Sequence, residues 1–416
     1  MAPVKNSKSL QSLCFSIAVV FFFFGIIEAL LRFAGFEPEL HFKSFTIPSW
    51  VEEMDPVVLK KYQQFVDGQG FVNEDIYAYK PDFRYGYLLK SGVTTTVQNY
   101  SSAFVVDKLP PWTIIADSEG FRASTQSKGI TEVNGKTLYV LGDSSSFGWG
   151  VNYEKSYAYL LNEKLNTVSD FNLSNFSLPG FSSFQGKLLW QEIEGVKKDD
   201  WVILSYGWND SYPSLRTDQR QFELRNSLAG KIIWKLKQLL LYRWMTTWGL
   251  PGFTPKDKGG TRVPLEQYRE NLESLIEGVK LQGARPLFVN VCNPETYQDS
   301  AEQIAKNKKI PHVNFPSALK PYLSTVHDRF PDLFVTYFEA YGEFMEDDPM
   351  LAFLFPDRCH PNEIGHGLMA EIIFQAIKKD IKDMSENNKS NSNSVKKIRT
   401  SLKNYLSKPD TRTSRL

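Results

Sequence analysis

The chain has 416 residues, too long for one average domain of about 100 to 200 residues, so one large domain with additional segments is expected. Its 42% hydrophobic and 23% charged residues are those of an ordinary globular protein. A formal net charge of +1 gives no global attraction to nucleic acid and argues against a nucleic-acid partner.

Near the N-terminus, LCFSIAVVFFFFGII from Leu13 to Ile27 carries no charge. With Ser9 to Ser12 and Glu28 to Leu31 it makes a helix of roughly 20 residues or slightly more, the length that crosses a bilayer. Lys5 and Lys8 precede the run and Glu28 follows it, so the positive-inside rule puts the N-terminus in the cytoplasm and the rest outside; Arg32 slightly weakens the asymmetry. The expectation is a single-pass membrane protein whose main domain is periplasmic or extracellular, with residues 1–35 as cytoplasmic stub and anchor. A cleaved signal peptide is the competing reading. Its apolar stretch would be about 7 to 15 residues before a small-x-small site, and Ala29 and Ala34 are wrongly spaced for that. A buried core helix fits least, because Phe21 to Phe24 are apolar on every face.

Residues 36–135, with YAYKPDFRYGYLLKSG and ADSEGFRAS, lack long helical periodicity and read as an irregular, partly β-stranded accessory segment. From Lys136 short apolar strands alternate with amphipathic helices, the pattern of a parallel sheet covered on both faces. The strand candidates are TLYVLG, FNLSNF, WVILSYG, PLFVNVC and LFVTYF; the helices include SYAYLLNEKL, FQGKLLWQEIEGVK and VPLEQYRENLESLIEGVK. An insertion over 211–262 contains SLAGKIIWKLKQLLLYRWMTTW, which reads as a helix too charged to span a bilayer. A lid, a helix on the membrane surface and a buried structural helix all fit it. Residues 136–382 form the expected catalytic domain, and 383–416 a polar, basic, disordered tail.

The strongest chemical signal follows the strand TLYVL: Gly142-Asp143-Ser144 opens a helix at the C-terminal end of a parallel strand, where such sheets bind ligands. Taken alone, a serine there more often caps a helix than attacks a substrate. Its partners lie downstream. Asp357-Arg358-Cys359-His360 places a carboxylate three residues before an imidazole, so His360 is the candidate general base for a Ser144 nucleophile, oriented by Asp357. An oxyanion hole is still needed. The second strand's end offers Pro179-Gly180 and the third's offers Gly207-Trp208-Asn209-Asp210.

These four blocks, Gly-Asp-Ser at Ser144, a glycine at Gly180, Gly-x-Asn-Asp at Asn209 and Asp-x-x-His at Asp357 and His360, resemble the SGNH (GDSL) hydrolase superfamily in their order. The resemblance covers about 136–382, and implies a three-layer α/β/α, flavodoxin-like fold. It further implies Ser144 as nucleophile, His360 as base and Asp357 as orienter. The backbone N–H groups of Ser144 and Gly180 and the Asn209 side-chain amide would be the oxyanion donors. Cys359 and the insertion after Asn209 lie outside the four-block pattern.

Ser145 and Ser146 read as helix-start residues, His366 as structural or solvent-facing, and Arg262 and Tyr268 as surface residues. Cys14 lies in the apolar run, which leaves Cys292 and Cys359 as the plausible disulfide pair. The five histidines, His41, His312, His327, His360 and His366, show no metal-ligand spacing, so no metal or cofactor is expected. The expected partners are a small acyl ester or acylated glycan and the membrane. Hydrolysis of an acyl ester, plausibly acetyl on an extracytoplasmic glycan, leads; O-acyl transfer at the same site, a long-chain esterase, and a noncatalytic envelope scaffold are the alternatives.

Overall fold

The computed structural model describes residues 7–36, 78–97, 109–124, 135–249, 259–341, 345, 348–355 and 357–378. The expected tail over 383–416 and much of the accessory segment lie outside the described residues.

Helix α1 (Ser7–Phe33) is one helix long and apolar enough to cross a membrane. Its phenylalanines are exposed, so it is not a core helix. The accessory segment supplies two small antiparallel pairs, β1 (Tyr79–Asp82) with β2 (Gly86–Leu89), and β3 (Thr94–Val97) with β4 (Trp112–Ile115).

The main sheet has five strands: β5 (Lys136–Gly142), β6 (Phe171–Asn175), β7 (Trp201–Ser205), β10 (Arg285–Asn290) and β11 (His312–Asn314), in the order β11-β10-β7-β5-β6. Every pairing is parallel. All five residues of β7 are buried, as a central strand covered on both faces requires. The tiny pair β8 (Pro213–Ser214) and β9 (Gly260–Thr261) clasps the base of the insertion.

From β5 the chain moves outward to β6 and then returns across β5 to β7. Right-handed crossovers therefore place the connecting helices on opposite faces. Helix α2 (Ser144–Phe147) and helix α3 (Tyr157–Asn166) belong to the first connection, and helix α4 (Ser183–Trp190) to the second. The reversal leaves a crevice between the C-terminal ends of β5 and β7, where ligands bind in open α/β sheets. Ser144 follows one of those strands and Asn209 the other.

The insertion folds as helices α5 (Asp218–Asn226), α6 (Leu228–Lys237) and α7 (Leu240–Gly249) rather than as one long helix. Thr217 and Ser227 cap the first two, each accepting a bond from a backbone N–H of the following helix. Helices α8 (Leu265–Leu281) and α9 (Glu295–Lys308) complete the alternation, with short helices α10 (Phe315–Leu319) and α11 (Val326–Arg329) after β11.

One strand expectation is overturned. LFVTYF lies in helix α12 (Pro331–Tyr341), and the fifth strand is instead the three-residue β11. Tyr337, Ala340 and Tyr341 are buried at helical spacing while Val335 and Phe338 face outward. A short apolar run fits either period, and Pro331 at the helix start decides for the helix. A last helix, α13, covers 363–378.

Candidate active site

Asp143 caps α2: its Oδ1 accepts the Ser145 backbone N–H at 3.0 Å, which fixes where the helix begins. The helix thus starts at Ser144. Gly142 is required by close approach, since a Cβ there would lie 2.5 Å from Ser146 Oγ. Ser146 is buried and accepts a bond from the Tyr157 hydroxyl at 2.7 Å.

The structure brings Ser144, His360 and Asp357 together. His360 Nε2 lies 2.7 Å from Ser144 Oγ and its Nδ1 lies 2.5 Å from Asp357 Oδ2. With the proton on Nδ1 donated to Asp357, Nε2 is free to accept from the serine hydroxyl. The other oxygen of Asp357 accepts the backbone N–H groups of Cys359 and His360, each at 2.9 Å. The carboxylate therefore holds both the turn and the ring, across Arg358 in the left-handed region (φ 54°). Burial pushes the Asp357 carboxyl up, but the His360 charge and the hydrogen bonds it accepts outweigh this and hold it below the usual carboxylate value.

Asn209 also reaches the site. Its amide Nδ2 donates to the Phe181 carbonyl at 3.2 Å and makes a long contact of 3.4 Å to Asp143 Oδ2. Ser144 retains 9% of its surface, Asn209 8% and His360 6%, so the groups are recessed without being sealed. Burial pushes the Asp143 carboxyl up to about 6. Asp210 lies behind Asn209 and accepts from the Ser183 backbone N–H at 3.0 Å and from its hydroxyl, tying the β7 loop to the start of α4. Burial raises it to about 7.

Gly180 lies in the left-handed region (φ 79°) and is held from two sides. The Tyr87 hydroxyl, on β2, donates to the Pro179 carbonyl. Arg262 Nη1 donates to the Gly180 carbonyl at 2.7 Å while Nη2 bonds Asp218 at 2.7 Å and Gln185 at 3.0 Å. Asp218 in turn accepts from the Ser182 hydroxyl at 2.7 Å. Arg262 is half-buried rather than free at the surface, and Tyr268 is fully buried with its hydroxyl on the Tyr206 carbonyl at 2.9 Å. The sequence reading of both as surface side chains is corrected: Tyr268 is in the core, and the half-buried Arg262 guanidinium is held by Asp218, Gln185 and a carbonyl.

Arg122, at the end of the segment ADSEGFR, is a further residue to which sequence reading assigned no role at the site. It is 3% exposed and donates to the carbonyls of Phe147, Gly148 and Val151, which follow Ser144 directly, and to Thr113. Trp112, Phe147 and Tyr153 surround the guanidinium. Burial lowers it to about 9. His366 is buried, with Nδ1 accepting the Tyr157 N–H at 3.2 Å. Burial, with Arg122 and His360 nearby, pushes it down to about 3, so it is a neutral structural group.

Cys292 and Cys359 form a disulfide, with Cα atoms 4.9 Å apart, joining the end of β10 to the residue before His360. Cys14 lies exposed on α1. Among the described residues no group of side chains could hold a metal ion.

Residues 138–373, more than half the chain, match the family of GDSL-like lipases and acylhydrolases. The chain belongs to that family. It is accordingly an ester-hydrolysing enzyme of the SGNH/GDSL type. None of the curated proteins matches it. Among solved structures it is similar to the psychrotrophic esterase EstA of a Pseudoalteromonas species, at 18% identity over 59% of this chain and 97% of that one, TM-score 0.34. It is also similar to the acetylxylan esterase Axe2 of Geobacillus stearothermophilus, at 17% identity over 58% and 94%, TM-score 0.35. A lipase/acylhydrolase from Enterococcus faecalis gives 15% identity over 59% and 96%, TM-score 0.34. At these scores the three likenesses add nothing to the assignment, which rests on the family match.

Proposed function

We propose that Ser144 is the nucleophile, His360 the general base and Asp357 its orienting carboxylate in the hydrolysis of a small acyl ester. The observation that carries the reading is the unbroken chain Ser144 Oγ, His360 Nε2, His360 Nδ1, Asp357 Oδ2 at 2.7 and 2.5 Å. In the first half-reaction His360 Nε2 takes the Ser144 proton as Oγ adds to the ester carbonyl carbon. Asp357, ionised because its pKa is held down, stabilises the imidazolium. The oxyanion is met by the backbone N–H groups of Ser144 and Gly180 and by Asn209. The latter gives up its 3.4 Å contact to Asp143 for a stronger, charge-assisted bond.

Collapse breaks the ester C–O bond, His360 returns the proton to the departing alcohol, and acyl-Ser144 remains. Water, deprotonated by His360, adds to that acyl group and releases the acid and the free serine. The acyl group is proposed to be acetyl and its carrier a glycan outside the cytoplasm. Residues 136–382 are the catalytic domain, interrupted by 211–262, with 36–135 accessory to it and 383–416 a tail. The apolar α1 supports a single-pass anchor, with residues 1–35 as cytoplasmic stub and membrane span, the N-terminus cytoplasmic and the site periplasmic or extracellular.

The test is acetate release from O-acetylated glycans by the full chain in detergent. The reading expects turnover that Ser144→Ala reduces by about 10⁴-fold or more. Turnover by Ser144→Ala equal to wild type contradicts it.

A further inference from the structure

Helices α6 and α7 carry an apolar surface that the catalytic reading does not use. On α6, Leu228, Ile232, Ile233 and Leu236 are exposed, at 79%, 54%, 48% and 44%. On a helix of about 3.6 residues per turn these four form one continuous arc. Lys231 and Lys235 border the arc on one side and Lys237 on the other, all exposed. Trp234 points the opposite way, its ring 5.6 Å from Phe83 of the accessory segment. The apolar arc therefore faces away from the protein body. Trp244 and Met245 on α7 are exposed as well.

What lies next to this surface follows from α1. Glu28 is the first charged residue after the uncharged run of α1, so it stands at the edge of the hydrocarbon layer on the catalytic-domain side. Its carboxylate accepts the backbone N–H groups of Leu240 and Leu241, at 3.1 and 2.8 Å, and pairs with Arg32 at 2.7 Å. The start of α7 is thereby fixed at the depth of Glu28. We propose that α6 and α7 lie in the interfacial layer of the same bilayer that α1 crosses, the apolar arc toward the acyl chains and Lys231, Lys235 and Lys237 among anionic headgroups. This rests on the reading of α1 as a membrane span. The geometry is that of an amphipathic interfacial helix, whose apolar side enters about 5–10 Å below the headgroups.

The insertion also connects to the active site. Helix α5, joined to α6 through the extended cap residue Ser227, carries Asp218, which holds the Arg262 side chain bonded to the Gly180 carbonyl. The docked helices are thus linked to the loop carrying Gly180 through Asp218 and Arg262.

The experiment places a bimane label at single cysteines of the full chain in vesicles of phosphatidylcholine and phosphatidylglycerol. One label is native Cys14; the others are Ile232→Cys, Leu236→Cys and, on the exposed side of α9, Gln303→Cys, each in a Cys14→Ser background with the native disulfide intact. Quenching by nitroxide-bearing lipid is compared with quenching by aqueous iodide. The proposal expects positions 14, 232 and 236 to be quenched severalfold more by lipid than by iodide, and position 303 the reverse. Position 14 in lipid with 232 and 236 behaving like 303 overturns the docking and leaves the anchor standing. Shielding of 232 and 236 from both quenchers means that protein covers the arc, which also overturns it. Position 14 quenched by iodide overturns anchor and docking together.

Discussion

Gly180→Ala puts a methyl group 2.5 Å from the Tyr87 hydroxyl oxygen, and does so at a left-handed φ of 79°. The backbone conformation alone costs about 1–2 kcal/mol for a residue with a Cβ. Relieving the clash requires moving Tyr87, which loses its bond to the Pro179 carbonyl at about 1 kcal/mol, or displacing the 180 amide from its proposed oxyanion position. Gly180→Ala should therefore lose about 2–3 kcal/mol of stability and, if the proposed oxyanion role holds, about 10²-fold in kcat. Tyr87→Phe removes the clashing atom, and the next nearest, Cζ, stands at an ordinary 3.7 Å. In that background Gly180→Ala should cost about 1 kcal/mol less, a measurable coupling. Chemical denaturation and turnover of a chromogenic acetate ester on the four variants of the cycle read both quantities. Strict additivity, or a Gly180→Ala enzyme with wild-type kcat, would refute the reasoning.

Arg122→Met removes every guanidinium bond to the Phe147, Gly148, Val151 and Thr113 carbonyls, and unsatisfied buried acceptors cost about 1–3 kcal/mol each. A loss of at least about 3 kcal/mol on denaturation is expected; a change under about 0.5 kcal/mol would show that water replaces the guanidinium. Asp210 is raised from 3.8 to about 7, so between those pH values the folded chain holds a proton that the unfolded chain has released. Its contribution to stability is present at pH 4 and lost as pH rises through 7, by up to about 4 kcal/mol. Asp210→Asn should match wild type near pH 4 and exceed it in Tm by on the order of 10 °C at pH 8; parallel Tm profiles would contradict the assignment.

The legible parts of the molecule were those encoded in neighbouring residues. Asp357 bonds the backbone of the residue two and three positions later as well as the His360 ring, so Asp-x-x-His is a self-contained turn that the sequence displays. The strand-then-Gly-Asp-Ser block is similarly local, since Asp143 caps the helix that Ser144 begins. Four of the five main strands were readable: β5, β7 and β10 are apolar runs, and β6 alternates Phe171 and Leu173 with polar residues. The fifth was misread because β11 has three residues, of which only Val313 is buried, whereas LFVTYF is more apolar and helical.

Positioning of Gly180 was not legible. Tyr87 and Arg262 lie far from it in sequence and meet it only because β2 and the insertion fold against the same loop. No periodicity marks a side chain whose partner is a distant carbonyl. Arg122 illustrates the same limit: a cation surrounded by carbonyls and aromatic rings looks in sequence like any surface arginine. Elimination left Cys292 and Cys359 as the only plausible pair without deciding whether they bond; the fold joins them and so anchors the turn carrying His360.

The central claim is that Ser144 is an activated nucleophile, and covalent labelling tests it most directly. The full chain in detergent is treated with a fluorophosphonate probe, wild type beside Ser144→Ala, and the adduct is located by mass spectrometry. The account predicts one adduct, on Ser144, absent from Ser144→Ala. A folded wild-type protein that takes no label, or a label that persists in Ser144→Ala, would contradict it.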